Sequence, residues 1–363
     1  MEPARIFMTA VEKTLQRYRE HQWRLQDNLY ARSLLRDRGS TTRLTPDEAA
    51  RVKGLWRQAG FRGSMDWHRL FKDVNGFDVR YVPLDLYTTA LLPRLRSLRL
   101  SEAWKEKTDF SRFFPDVPMP RMVGCRIEGL FYDGSYRQVS AEWLAGAIVE
   151  AGRVIVKPSN GSQGYGVELW EAAGLGGEGL LKRLEDFGRN YVVQEVLRQH
   201  EVLARFNPSS VNPVRIITFR LKGKVRVLNA MIRWGLPGVV TDLTHVDGKT
   251  ILFVCGLNRD GVFSPEYFDT TLERFPLANL GISEPLVLPN YDRMVELALS
   301  VHERLHHFDI VGFDIALGQD KKPVMIEYNI AHPSIDSIQF CWGPLFGEDT
   351  EEILRTIMTQ PVR

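Results

Sequence analysis

Val154-Ile155-Val156-Lys157-Pro158-Ser159-Asn160-Gly161-Ser162-Gln163-Gly164-Tyr165-Gly166-Val167 decides how the rest of the chain is read. The β-branched run Val154–Val156 predicts a strand with Lys157 at its end. Gly161, Gly164 and Gly166 follow among small polar residues. Glycine lets backbone N–H groups turn toward an anion at a distance that larger side chains would forbid. The lysine adds a mobile positive charge at the mouth. The pattern is that of a phosphate cradle. It is not G-x-x-x-x-G-K-[ST], because the lysine precedes the glycines, and it is not G-x-G-x-x-G at a helix entry. Taken alone, the same residues also describe a surface hairpin, since Gly and Asn are common turn residues. The far end of the chain supplies the context.

A chain of 363 residues can bury a sizeable core and predicts two or three domains or subdomains. Its 44% hydrophobic and 25% charged residues are those of a soluble globular protein. A net charge of +2 argues neither for nor against nucleic acid. Cys125, Cys255 and Cys341 lie far apart without metal-ligand spacing, and suit buried thiols in a reducing compartment. There is no apolar run of membrane-span length and no signal-peptide h-region at the N-terminus. A cytoplasmic protein with no membrane span is expected.

Ala4 to about Arg38 predicts one long helix or two, with Phe7, Val11 and Tyr18 near one face and Leu25, Leu29 and Leu34 further on. Its basic excess reads as a solvated face, or as a surface for a membrane or an acidic carrier. Thr45-Pro46-Asp47-Glu48 is a capping box opening a helix that Gly60 ends. A further helix runs from about Met65 to Lys72. Residues 1–78 are therefore expected to form a helical cap, and 79–120 a connecting segment with Lys105 and Lys107. A central subdomain, 121–196, has strands near Met122–Cys125 and Gly129–Tyr132, a helix from Ser140 to Gly152 and a buried strand at Tyr191–Leu197. In 197–363 the strands Pro213–Leu221 and Lys224–Trp234 flank a Lys222-Gly223 turn. Ile251–Gly256 predicts another strand, and Asp292–His306 an amphipathic helix. The strands Ile310–Leu317 and Pro323–Tyr328 follow.

These two last strands carry the second constellation. Asp314 lies in Val-Gly-Phe-Asp-Ile-Ala, and Glu327 and Asn329 in Val-Met-Ile-Glu-Tyr-Asn-Ile. Adjacent antiparallel strands would set Asp314 opposite Glu327, with Asn329 on the same face two residues on. An unpaired carboxylate inside an apolar strand is expensive. Coordination of a divalent cation removes that cost, and Mg²⁺ takes one or two carboxylates together with phosphate oxygens. Pairing with nearby arginines is the competing explanation.

A lysine-led phosphate loop, a buried strand and a paired-strand acid site, in that order, resemble the ATP-grasp superfamily, with the spacing of D-alanine–D-alanine ligase and glutathione synthetase. Phe206-Asn207-Pro208-Ser209-Ser210-Val211-Asn212-Pro213-Val214-Arg215 more narrowly resembles the sugar-transfer-associated ATP-grasp family. The resemblance spans about Lys107 to Gln339. It implies an α+β fold in which two subdomains grip ATP between two sheets, behind the N-terminal helical cap. It implies that Lys157 meets the α-phosphate and that Lys107 is the first nucleotide lysine, with Lys105 a rival. Ser159, Gly161, Ser162, Gln163, Gly164, Tyr165 and Gly166 would fold over the β- and γ-phosphates. Gln194, Glu195, Val196 and Leu197 would form the hinge that reads adenine. Glu201 would meet the ribose, or be a solvated acid. Asp314, Glu327 and Asn329 would hold magnesium, with two ions expected. Arg215 would stand near the transferred phosphate, or be paired within the sheet.

The sequence departs from the family pattern at Ile330-Ala331-His332-Pro333-Ser334 and across Gly235–Lys249, which offers Asp242, Thr244 and His245. Both stretches are expected to border the acceptor pocket. The resemblance implies an ADP-forming ligation of a carboxylate to an amine (amino acid, peptide or amino sugar), in natural-product, peptide or polysaccharide biosynthesis. An oligomer is compatible with it, and no nucleic-acid partner is expected. A phosphotransferase acting on a hydroxyl, or a non-catalytic nucleotide-binding module, are the alternatives.

Overall fold

The computed structural model describes residues 3–61, 64–161, 164–174 and 176–363, with side chains in the first helix described from Tyr18 onward. Ser162 and Gln163, and the side chains of Phe7 and Val11, therefore lie outside the described residues. The chain divides into two compact units. One comprises Met1–Leu98, His307–Asp309 and Ser334–Arg363, the other Arg99–His306 and Ile310–Pro333.

The first unit is helical. Pro3–Asp37 is a single helix. In the helix Pro46–Trp56 the expected capping box is made in full: Thr45 Oγ1 accepts from the Glu48 amide and the Glu48 carboxylate accepts from the Thr45 amide. Reciprocal satisfaction of orphan amides is what stops the helix from fraying. Asp66–Asn75 follows, ended by Gly76 at a φ of 91°. Its buried Phe71 stacks on Tyr81 with ring centres 4.2 Å apart and meets Phe340 at 5.0 Å. Phe340 belongs to Asp336–Trp342, one of two late helices of this unit, the other being Thr350–Met358.

Gln339, 1% exposed, ties the ends of this unit together. Its amide donates to the Val82 carbonyl, and its oxygen accepts from the amides of Val82 and Leu345. Gln339→Leu keeps the bulk and leaves three buried backbone groups without partners. Urea unfolding is expected to show a loss of about 2–4 kcal/mol. A loss below about 0.5 kcal/mol, the range of ordinary surface substitutions, would contradict this role.

The second unit is built on two antiparallel sheets. Its strands are β1 Met122–Ile127, β2 Leu130–Asp133, β3 Gln138–Val139, β4 Arg153–Pro158, β5 Glu168–Glu171, β6 Tyr191–Glu195, β7 Val214–Leu221, β8 Lys224–Trp234, β9 Thr244–Val246, β10 Lys249–Ile251, β11 Phe253–Leu257, β12 Phe263–Phe268, β13 Arg274–Pro276, β14 Ile310–Leu317 and β15 Pro323–Asn329. The first sheet runs β3-β2-β1-β6-β4-β5 and the second β13-β12-β11-β8-β7-β14-β15, with β9 and β10 a separate hairpin. Ile251 therefore ends a short hairpin rather than opening the strand that continues to Gly256, and the expected strand Tyr191–Leu197 stops at Glu195.

On the first sheet Val154 and Val156 pack with Val193, Leu144, Ile148, Leu180 and Leu184 into a core under the helices Ala141–Ala151 and Gly177–Asp186. Because side chains alternate along a strand, Lys157 points to the opposite face. Register pairs Lys157 with Val192 and Ile155 with Gln194, so Gln194 shares that face. On the second sheet Arg215, Asp314 and Glu327 stand opposite one another across β7, β14 and β15, while Asn329 pairs with Gly312.

Candidate active site

Lys157 is 8% exposed, and among the described residues its ammonium has no hydrogen-bond or ion-pair partner. Burial pulls its pKa down to about 8, helped by the neighbouring charge of Lys107 and opposed by Glu327. A buried cation without a partner would gain from an anion placed beside it.

Lys107 reaches the same place by a different route. Its backbone amide donates to the Ser159 carbonyl at 3.0 Å, docking the segment on the end of β4. Its ammonium donates to the Gly161 carbonyl and lies 3.6 Å from the Glu327 carboxylate. The residues on either side of it are fastened to β15. Tyr328 donates to the Trp104 carbonyl at 2.6 Å and stacks on Phe110 with centres 4.5 Å apart. Lys105 instead pairs with Glu102, one helical turn back.

The described part of the glycine-rich loop folds back over Pro158. Gly164 and Gly166 adopt φ values of 72° and 71°, in the region that disfavours side chains. A Cβ on Gly166 would lie 2.9 Å from Pro158, and one on Gly164 would press Thr241 at 3.2 Å. Between them Tyr165 stacks on His245 of β9, with ring centres 4.1 Å apart and planes 11° from parallel. Ser159 is buried, its amide donating to the Asn190 carbonyl.

Across from the loop, Asp314 is 4% exposed and saturated with donors. Arg215 forks onto it, Nε to Oδ1 at 2.5 Å and Nη2 to Oδ2 at 2.8 Å. Asn329 Nδ2 donates to Oδ2 at 3.1 Å, and Arg233 Nη2 approaches the same oxygen at 3.4 Å. Burial alone would raise its pKa; Arg215 and Arg233 outweigh that and hold it below the usual carboxylate range. Arginine pairing, the competing explanation for a buried acid here, is thus made at Asp314. Gly312 makes room for it, since a Cβ there would lie 3.3 Å from the Arg215 side chain and 3.2 Å from Ile217.

One participant, Arg233, was not legible in the sequence as a site residue; its partner Asp242 was expected only as part of a loop bordering the acceptor pocket. Arg233 lies two residues after Met231, the register partner of Arg215 on β8, and so shares the Arg215 face. That alternation was the available signal. Gln194 donates to the Pro120 carbonyl at 3.4 Å, and the Glu195 amide and carboxylate engage Arg121. Val196 and Leu197 follow in the non-strand segment after β6. Glu201 lies exposed in the first turn of Glu201–Ala204 and takes no part in the network around Asp314.

Asp314, Glu327 and Asn329 offer hard oxygen atoms in adjacent register positions, the donor chemistry of Mg²⁺. Among the described residues no group of three or more His, Cys, Asp or Glu is arranged as a metal site. A cation at this row would need further oxygens from a ligand. It would also require Asn329 to turn its oxygen inward and Arg215 to yield an Asp314 oxygen.

A model of the sugar-transfer-associated ATP-grasp family matches residues 117–352. The chain belongs to that family. The α+β arrangement, with antiparallel sheets and an N-terminal helical region, is accordingly the ATP-grasp fold. The chain is similar to the solved structure of the ATP-grasp ligase PsnB complexed with a minimal precursor, at 14% identity and a TM-score of 0.40, covering 74% of this chain and 64% of that one. It is similar to D-alanyl-alanine synthetase A from Vibrio cholerae O1 biovar eltor, at 14% and 0.41, covering 71% and 65%. It is also similar to D-cycloserine synthetase DcsG, at 13% and 0.41, covering 86% and 94%. The chain spans slightly under two thirds of the length of the first two. No curated protein matches it. Among the described residues no helix is long and apolar enough to cross a membrane.

If Lys157 holds a phosphate, as the sequence resemblance implies, phosphate affinity will depend on its protonation. Its charged form binds an anion better, so ADP affinity should fall as pH rises through about 8. Metal-free calorimetry between about pH 7 and pH 9.5 is expected to show log Kd climbing with a slope approaching one, the slope for one proton. Lys157→Met should flatten it; an equal slope in that variant would assign the titration to another group.

Proposed function

We propose that the protein is an ATP- and Mg²⁺-dependent ligase that joins a carboxylate to an amine, releasing ADP and phosphate. The observation that carries this reading is the buried ammonium of Lys157, unpartnered among the described residues, with Lys107 beside it and the Asp314–Glu327–Asn329 row within reach of Lys107. Membership of the ATP-grasp family supports nucleotide use. The PsnB structure solved with a phosphomimetic precursor, Mg and ADP supports the same ligand pair. Two ions, as expected from the sequence, belong to this proposal.

In this reading Lys157 and Lys107 neutralise the phosphates, Ser159 and the residues from Gly161 to Gly166 cover them, and the backbone from Gln194 to Leu197 reads the base. Glu201 is assigned the ribose. A substrate carboxylate attacks the γ-phosphorus to give an acyl phosphate and ADP, and the amine then displaces phosphate to form the amide. Asp314, Glu327 and Asn329 would hold magnesium, which supplies charge neutralisation on the β- and γ-phosphates. Arg215 stands next to that row and would face the transferred group once released from Asp314. No covalent nucleophile is required of the protein, because positioning and fixed charge do the work. The substrates proposed are an amino acid, peptide or amino sugar, in a biosynthetic setting in the cytoplasm.

Turnover in a screen of such acids and amines should give ADP and phosphate, resolved by chromatography. Glu327→Gln should lower the rate by at least about 100-fold, as for loss of a single transition-state electrostatic contact, while shifting stability little. AMP as the main nucleotide product would overturn the acyl-phosphate route, and a stable phosphorylated alcohol would identify a kinase.

A further inference from the structure

The loop between β8 and β9, where the sequence departs from its family, is firmly built. Asn207 donates to the carbonyls of Gly235 and Leu236, both at 3.2 Å. Ser209 Oγ accepts from the Gly238 amide, and Thr244 Oγ1 from the Leu236 amide, each at 2.9 Å. Thr241 donates to the Leu243 carbonyl at 2.6 Å. Held at both ends, the loop carries Asp242 back to Arg233, where Nη2 meets Oδ2 at 2.5 Å. The same Nη2 is 3.4 Å from Asp314 Oδ2. One guanidinium is therefore shared unequally between two carboxylates. The shorter contact is a full charge-assisted bond and the longer one sits at the edge of hydrogen bonding. Asp242 and Arg233 expose only 17% and 13% of their side chains, so water offers little competition.

We infer that Asp242 is a positioning residue for the cation site. By holding Arg233 it keeps that guanidinium from closing fully on Asp314, and so sets how readily Asp314 accepts a divalent cation. This rests on Asp314 being a ligand of that cation, as proposed above. If Asp242 loses its charge, Arg233 swings onto Asp314 Oδ2 and competes with the cation for the same lone pairs. If Arg233 is absent, Asp242 has no means of acting on Asp314 except through its distant charge.

The test is a double-mutant cycle read by Mn²⁺ binding to the full chain in the presence of ADP, with free Mn²⁺ followed by electron paramagnetic resonance. Asp242→Asn should weaken Mn²⁺ roughly tenfold, the lower end of effects for groups behind a metal ligand. Arg233→Met should tighten binding, which a misfolded variant would not do. The double variant should match Arg233→Met. If Asp242→Asn weakens Mn²⁺ equally with and without Arg233, the carboxylate acts by charge alone and the proposal falls. Unchanged or tighter binding in Asp242→Asn also overturns it. Asp314→Asn serves as the reference: unaltered Mn²⁺ affinity there would remove the metal reading of Asp314 itself, and this inference with it.

Discussion

A carboxylate buried on the strand next to the edge of a seven-stranded sheet must be neutralised, and the way Asp314 is neutralised organises the rest of the site. A carboxylate has room for about four donors. Asp314 receives Nε and Nη2 of Arg215, Nδ2 of Asn329 and the longer approach of Arg233. The donors come from three strands, β7, β15 and β8, so satisfying this one group specifies the register of β7, β14 and β15 and the glycine at 312. A one-residue slip of β14 would turn Asp314 into the opposite face and leave Arg215 without its partner. The first sheet carries the opposite excess. There, among the described residues, Lys157 and Lys107 meet one carboxylate, Glu327, which leaves positive charge for a ligand to cancel.

The Lys107 segment lets charges on two sheets act together. It is held to β4 by a backbone hydrogen bond at Ser159 and to β15 by the aromatic packing of Tyr328. Tyr328 lies between Glu327 and Asn329 in sequence and faces away from them, so one strand presents oxygen ligands on one side and an anchor on the other. The aromatic ring thereby fixes the lysine that faces the acids next to it.

Much of this was legible because the signals were local. The capping box at Thr45, the Lys222-Gly223 turn and the two-residue spacing of Glu327 and Asn329 each depend on neighbours in the chain. The pairing of Asp314 with Glu327 followed from two apolar strands joined by a short polar turn. Asp242 with Arg233 was not legible, because the contact depends on how a loop without regular periodicity is anchored by Asn207 and Ser209, some 30 residues upstream. The Phe206–Arg215 motif signalled a family, whereas its Asn207 and Ser209 hold that loop and its Arg215 forks onto Asp314. The β9–β10 hairpin was missed because its three-residue strands are too short for alternation to register. The helical unit was read as an N-terminal cap because nothing local at Ser334–Arg363 declares that it packs with the first 98 residues.

That composite unit has a consequence for biosynthesis. Gln339 closes its bonds to Val82 from 257 positions further along the chain. At roughly 5–20 residues per second, the ribosome delivers it on the order of 10–50 s after Val82. The whole of the two-sheet unit is threaded out in that interval. The aromatic face of Phe71 and Tyr81 must wait all that time for Phe340, so the nascent N-terminal helices carry an uncovered apolar surface until the last residues of the unit emerge.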